Sequence, residues 1–196
     1  MVFGRVLLSL VVATLAVPVS AGDWVRDVNG WSVGRSSNTC IMLEEYEGEG
    51  STNFALVIRD PAQNTYVMVT NYRWSDEDDR QYELRYQLGE WVHTLPSYGI
   101  EQDIIRKGFV TVVGHEFLSD FAKADDIEIF NGATLVDDLS LDGSAAALDV
   151  LERCRTELSR DIEEERRNRE RLQHIPVDPF APDAAPVEPP AENPTP

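Results

Sequence analysis

Tyr82–Leu88 (YELRYQL) alternates without a break. Tyr82, Leu84, Tyr86 and Leu88 share one face, and Glu83, Arg85 and Gln87 share the other. That period of two marks a half-buried strand. Shorter or less regular strand signals recur at Thr39–Tyr46, Phe54–Arg59, Thr65–Tyr72, Trp91–Leu95, Phe109–Val113, Asp126–Phe130 and Thr134–Leu141. Turn chemistry separates them: Gly48 and Gly50 within Glu47–Asn53, Asp60-Pro61, Gln63-Asn64, Pro96–Gly99 and Asn131-Gly132. Ahead of them, Gly22–Ser37 sets Trp24 and Trp31 among turn residues, which reads as a short strand and a hairpin-like lead-in.

The period changes twice. Glu116–Ala124 groups Phe117, Leu118 and Phe121 at helical spacing, and a second helix starts near Ser144. Ala147, Leu151, Cys154 and Leu158 form one apolar face of that helix. Ser144 has the side chain of an N-cap, a hydroxyl able to accept a free N–H of the first turn. The pattern predicts a mainly β fold with a terminal helix (α+β). Its body is an antiparallel sandwich or open barrel of about eight short strands.

Past Leu158 apolar positions thin out. Ser159–Gln173 pairs Glu163 with Arg166 and Arg167, and Glu165 with Arg169, at helical spacing, so the helix should run on into solvent. Residues 174–196 hold eight of the chain's eleven prolines, a composition that buries no core. At the other end, Met1–Ala21 sets Arg5 before the apolar run Val6–Val17, then Pro18 and small residues before Gly22. That is the layout of a cleaved signal peptide, with an apolar run short of the roughly 20 residues that span a bilayer. The organisation is a signal peptide at 1–21, a β-rich domain at 22–158, a charged helical extension at 159–173 and a Pro-rich tail at 174–196. After cleavage no transmembrane segment is expected, and the protein should be periplasmic or secreted.

Export gives the two cysteines a meaning. In an oxidising compartment Cys40, on a strand, and Cys154, on the core face of the helix, can pair and clamp helix to sheet. Two buried free thiols are the alternative. A catalytic thiol lacks support, since the sequence has no CxxC and no histidine near either cysteine.

Charge narrows the partners. The chain carries 17 basic and 35 acidic residues, net −18, and loses one more positive charge with Arg5. Nucleic acid needs a basic footprint, so it is excluded. Acidity either keeps the protein in solution or attracts a basic protein or peptide, for instance a cationic hydrolase to be inhibited. Asp76, Glu77, Asp78 and Asp79 are contiguous and lack the spaced ligands and glycine of a calcium loop. Beside them, Tyr72, Trp74 and Trp91 compose an aromatic patch. Tyr72, Trp74, Asp76, Asp78, Asp79 and Trp91 are the candidate partner-binding residues.

Catalytic chemistry has weaker support. His93 and His115 are the body histidines, and neither belongs to HExxH or another zinc spacing. Pairing of His115 with Asp120, or of His93 with Asp103, is not required by the sequence. G-x-S-x-G is absent. No cofactor, metal or catalytic residue is assigned. The expectation is a non-enzymatic binding or envelope-accessory protein. The alternative is a periplasmic hydrolase using His93 or His115 with nearby carboxylates.

A further pattern joins these elements: an early Trp, Cys40, N-x-x-W at Asn71–Trp74, and L-x-L-x-G-S-x-x-A-L-x-x-L-x-x-C at Leu139–Cys154. It resembles a group of small secreted proteobacterial proteins of unassigned function. The resemblance spans about Trp31–Cys154 and implies no site residue.

Overall fold

A computed structural model describes residues 24–61, 64–75, 80–101, 106–173 and 175. The segment expected to be a signal peptide, Asp76–Asp79 and all of the tail but Ile175 lie outside the described residues. The described strands are β1 (Trp24–Val28), β2 (Trp31–Ser36), β3 (Thr39–Tyr46), β4 (Thr52–Ile58), β5 (Thr65–Asn71), β6 (Gln81–Leu88), β7 (Trp91–Glu101), β8 (Lys107–Val113), β9 (Asp126–Asn131) and β10 (Thr134–Ser140). Helix α1 (His115–Phe121) lies between β8 and β9, and α2 (Ser144–Leu172) follows β10.

All ten strands join one antiparallel sheet in the order β1-β2-β3-β4-β5-β8-β7-β6-β9-β10. The fold is mainly β with a terminal helix. Ten strands replace about eight mainly because the Trp24–Ser36 lead-in is a full hairpin around Asn29-Gly30.

The sheet curls until its far strand meets β3 and β4. The Tyr46 hydroxyl donates to the Ser140 carbonyl at 2.6 Å, and Thr52 Oγ1 donates to Asp137 Oδ2 at 2.6 Å. Helix α1 fills the curl. Phe121 stacks on Phe54 and meets the edge of Trp31, while Phe117 packs edge-on to Tyr86. Burial of each such ring contributes roughly 1.5–3 kcal/mol. A polar seam crosses the apolar interior: the buried Tyr86 hydroxyl bonds Thr111, which bonds Ser97 at 2.6 Å.

Helix α2 packs on β2 and β3 through Ala147, Leu151, Cys154 and Leu158. Cys40 and Cys154 form a disulfide, with 6.0 Å between their α-carbons. Arg35 of β2 reaches Asp161 at 2.7 Å, so the sheet holds the helix one turn past Leu158. Beyond it, Arg166 bonds Glu163 and Glu170 on the exposed surface.

Two local expectations are corrected. Gly143, not Ser144, is the N-cap of α2, at φ 79°. A β-carbon there would sit 2.6 Å from Asn29 Cβ and O, so glycine lets the helix start press on the β1–β2 turn. Trp31 Nε1 donates to the Asp142 carbonyl at 2.9 Å and locks that junction. Pro96 is not in a turn: β7 runs through it. It pairs with Glu83 of β6, while pairing with β8 starts only at Ser97, so no β8 ladder bond needs the missing N–H.

Candidate functional site

Two adjoining hollows open where the β3–β4 turn meets the β9–β10 hairpin. The acidic trough, about 380 Å³, lies between Tyr46, Glu47 and Glu49 on one side and Asp137 and Asp138 on the other. The second hollow, about 510 Å³, is bordered by Arg73, Arg80, Tyr82, Phe109 and Leu135. Trp74 and Val136 line both.

Local structure explains these placements. The β9–β10 pairing slips between Leu135 and Asp137, a bulge that leaves Val136 out of the ladder. Trp74 is held by stacking on Phe109, with centroids 5.7 Å apart. Asn71 braces the floor: its Nδ2 donates to Thr52 Oγ1 at 3.0 Å and to the Glu49 carbonyl at 3.3 Å, and its Oδ1 accepts from Arg73 N at 2.8 Å. The N-x-x-W spacing therefore joins a turn brace to a stacked ring.

The trough is electrically negative. Burial, and then Glu44, Asp137 and Asp142, drive the pKa of the Tyr46 hydroxyl far upward. Glu44 is itself raised, chiefly by burial and further by Asp142, against a lowering bond from Tyr46. At the trough's edge, Arg73 pairs with Glu49 at 2.6 Å. The guanidinium of Arg80 lies over Tyr82, 5.3 Å from its centroid.

The expected aromatic patch divides. Trp74 sits beside Tyr82, near the first end of β6, whereas Trp91 follows the turn at the far end, opposite Leu88. Six strand residues, about 20 Å, separate those ends. Lys123 lies over the Trp91 ring. Trp91 therefore does not share a surface patch with Trp74. Tyr72 is exposed beneath Arg106, whose Nη2 donates to its hydroxyl at 2.6 Å and approaches Glu45 at 3.4 Å. Asp76, Asp78 and Asp79 lie outside the described residues.

The residues that the sequence did not single out are Glu47, Glu49, Asp137 and Asp138. They sit in a turn and in an alternating strand, where acids read as solvated positions. The adjacent apolar pair Leu135-Val136 breaks the period of two and was the available sign of the bulge.

Asp103 lies outside the described residues, and His93 meets the carboxylate of Asp120. Its Nε2–H donates to Asp120 Oδ2 at 3.0 Å, with the ring against Phe117. Both side chains are largely enclosed, at 15% and 11% exposure. Lys123 approaches the other Asp120 oxygen at 3.4 Å. The pair ties β7 to α1. His115 begins α1 on the surface, apart from this pair. Among the described residues no group of three or more His, Cys, Asp or Glu is placed to hold a metal ion, and no helix is long and apolar enough to cross a membrane.

The architecture and trough define a class: a disulfide-clamped, curled antiparallel sheet with a terminal helix and a shallow polar cleft. Among solved structures, invasion associated protein B from Bartonella henselae is similar, with a TM-score of 0.53 and 10% identity. The match covers 68% of this chain and 99% of that one, and it shows a shared fold. No family model and no curated protein matches the chain.

Proposed function

We propose that this is an exported binding protein with an envelope-accessory role, which captures a basic segment of a partner protein in the acidic trough beside Trp74. The observation that carries the reading is the lining of the trough, where Glu47 and Glu49 face Asp137 and Asp138 beside Tyr46. A lysine or arginine entering there meets carboxylates from two walls, and the Trp74 ring offers a neighbouring apolar surface. Export rests on the leader-like Met1–Ala21, with the disulfide in support. The Trp, Cys and L-x-L-x-G-S pattern would group the chain with small secreted proteobacterial proteins, and the shared fold of an invasion associated protein fits an envelope setting.

The test is a pull-down from native envelope extract at two ionic strengths, with wild type beside Glu47→Gln/Asp138→Asn. Both substituted side chains are exposed, so the fold should tolerate the change. A captured basic protein should be retained at low salt, and at least tenfold less of it when the Debye length drops from about 10 Å to 3 Å. The variant should retain less at both. Retention indifferent to salt and to the substitutions would refute the trough as the binding site.

A hydrolase reading draws on one observation, the 3.0 Å His93–Asp120 bond. It requires turnover in a substrate screen that both His93→Ala and Asp120→Asn abolish while the fold is kept. Enclosure of the pair against Phe117 favours a structural tie instead.

A further inference from the structure

The outer face of the sheet departs from the rule that an antiparallel sheet turns polar side chains to water. Register aligns Val25, Gly34, Ile41, Val57, Tyr66 and Val112 in one outward row across β1-β2-β3-β4-β5-β8. The next row runs Ser32, Leu43, Ala55, Met68, Val110 and Tyr98 from β2 to β7. These twelve aligned positions carry no charge, in a chain that is 27% charged, and the second row meets its first charge at Asp27 on β1. Val25, Val112 and Tyr98 are exposed at 76%, 42% and 43%. Around Tyr66 and Met68 the surface sinks into a hollow of about 440 Å³ that reaches Ile100 and has Arg59 and Glu101 on its lining.

The geometry points to a second copy of this chain as the occupant of that face, packed sheet against sheet about a two-fold axis. Charge selects this occupant. At net −18, two copies repel over most of their surfaces, and this strip, with its charges kept to margins such as Asp27, Arg59 and Glu101, is where they can meet with the fewest opposing carboxylates. The ends of the strip are complementary as well. Arg59 stands just past Val57 at one end, and Glu45 stands past Leu43 at the other. A two-fold axis lying across the strands sets Arg59 of each copy toward the Glu45 end of its partner, the reciprocal match that an isologous contact requires.

Area sets the strength. Seven strands at about 4.8 Å spacing and two outward rows about 7 Å apart cover roughly 400 Å² in plan. That exceeds a scattered surface apolar group and falls at the small end of specific interfaces, below about 1,200 Å² in total. The expected species is a reversible dimer that forms as concentration rises. Salt should strengthen it, because screening weakens the repulsion between acidic bodies while the apolar contact persists. That is the opposite of the salt response of basic-partner capture, so the two proposals fail separately.

Sedimentation equilibrium of the protein, expressed from its full-length sequence and purified after export, tests the inference. Wild type should move from one chain mass to two with increasing concentration, at lower concentration in higher salt. Val112→Glu and Tyr98→Glu alter exposed positions and should each hold the protein at one chain mass. Ile162→Glu, exposed on α2 away from the sheet, should dimerise as wild type does. Near-UV circular dichroism checks that each variant is folded. A single chain mass for wild type throughout overturns the inference, including the case in which the face takes up detergent or another protein instead. A dimer that survives both face substitutions overturns it equally.

Discussion

Asn71 carries more of the site than its polarity advertises. It is 5% exposed and holds Thr52, the Glu49 carbonyl and the Arg73 amide with one amide group. Gly50 fits beside it at φ 93°, where a β-carbon would collide with Asn71 Oδ1. Asn71→Ala strips partners from groups enclosed beneath the turn. A cost of about 1–3 kcal/mol is expected, the usual penalty for buried polar groups left unpaired. Because the same bonds shape the trough, basic-partner retention should fall along with the denaturant midpoint. Asn71→Asp keeps the acceptor toward Arg73 but loses the donor, and should lie between. Full retention by the alanine variant would remove Asn71 from the binding geometry.

At the scale of elements, the disulfide joins parts far apart in sequence. It links β3 to α2 across 114 residues. Closing so long a loop restricts the unfolded chain by about 4–5 kcal/mol in the chain-entropy model. Cys40→Ser/Cys154→Ser should therefore lower Tm by roughly 10–20 °C, measured in non-reducing buffer. An unchanged Tm would mean that the α2 packing face alone sets the stability of the helix–sheet contact. This clamp was legible in the sequence because it needed only two cysteines, a strand period and a helix face. The strands were legible for the same reason, as each records its own burial in local alternation. The junctions were not. Gly143 caps α2 because Asn29, over a hundred positions earlier, presses on it, and no local rule for Ser144 contains that contact. Trp91 and Trp74 look like partners in composition, yet β6 holds them at opposite ends. His93 meets Asp120 because α1 folds into the curl, which depends on the order of strands and not on any spacing.

The whole molecule depends on two tyrosine hydroxyls that close the curled sheet in different places. Tyr46 ties β3 to β10, and Tyr86 ties β6 to β8 beneath β7. Burial pushes the Tyr86 hydroxyl up to about 12 from an ordinary 10.0, against bonds from Thr111 and Ser97 that lower it. Tyr46 moves in the same direction, with burial acting first and carboxylates second. Folding therefore favours the protonated tyrosines. Their contribution is complete below pH 10, the unfolded value, and is lost as pH rises through the folded values near 12 and above. Net negative charge acts in the same sense, since each new tyrosinate adds to the self-repulsion of an already acidic body. Alkaline unfolding is expected as one transition, in which near-UV circular dichroism collapses together with a rise in tyrosinate absorbance. Tyr86→Phe removes one ionising group from the interior and leaves Ser97 bonded to Thr111. At neutral pH it should cost about 0.5–1.5 kcal/mol, the net worth of a typical hydrogen bond. Its alkaline midpoint should nevertheless move up, because one cause of the transition is gone. A variant less stable at neutral pH and more resistant at high pH separates the hydroxyl's bond from its titration. A midpoint that falls with neutral stability would assign the alkaline limit to Tyr46 and the surface charge instead.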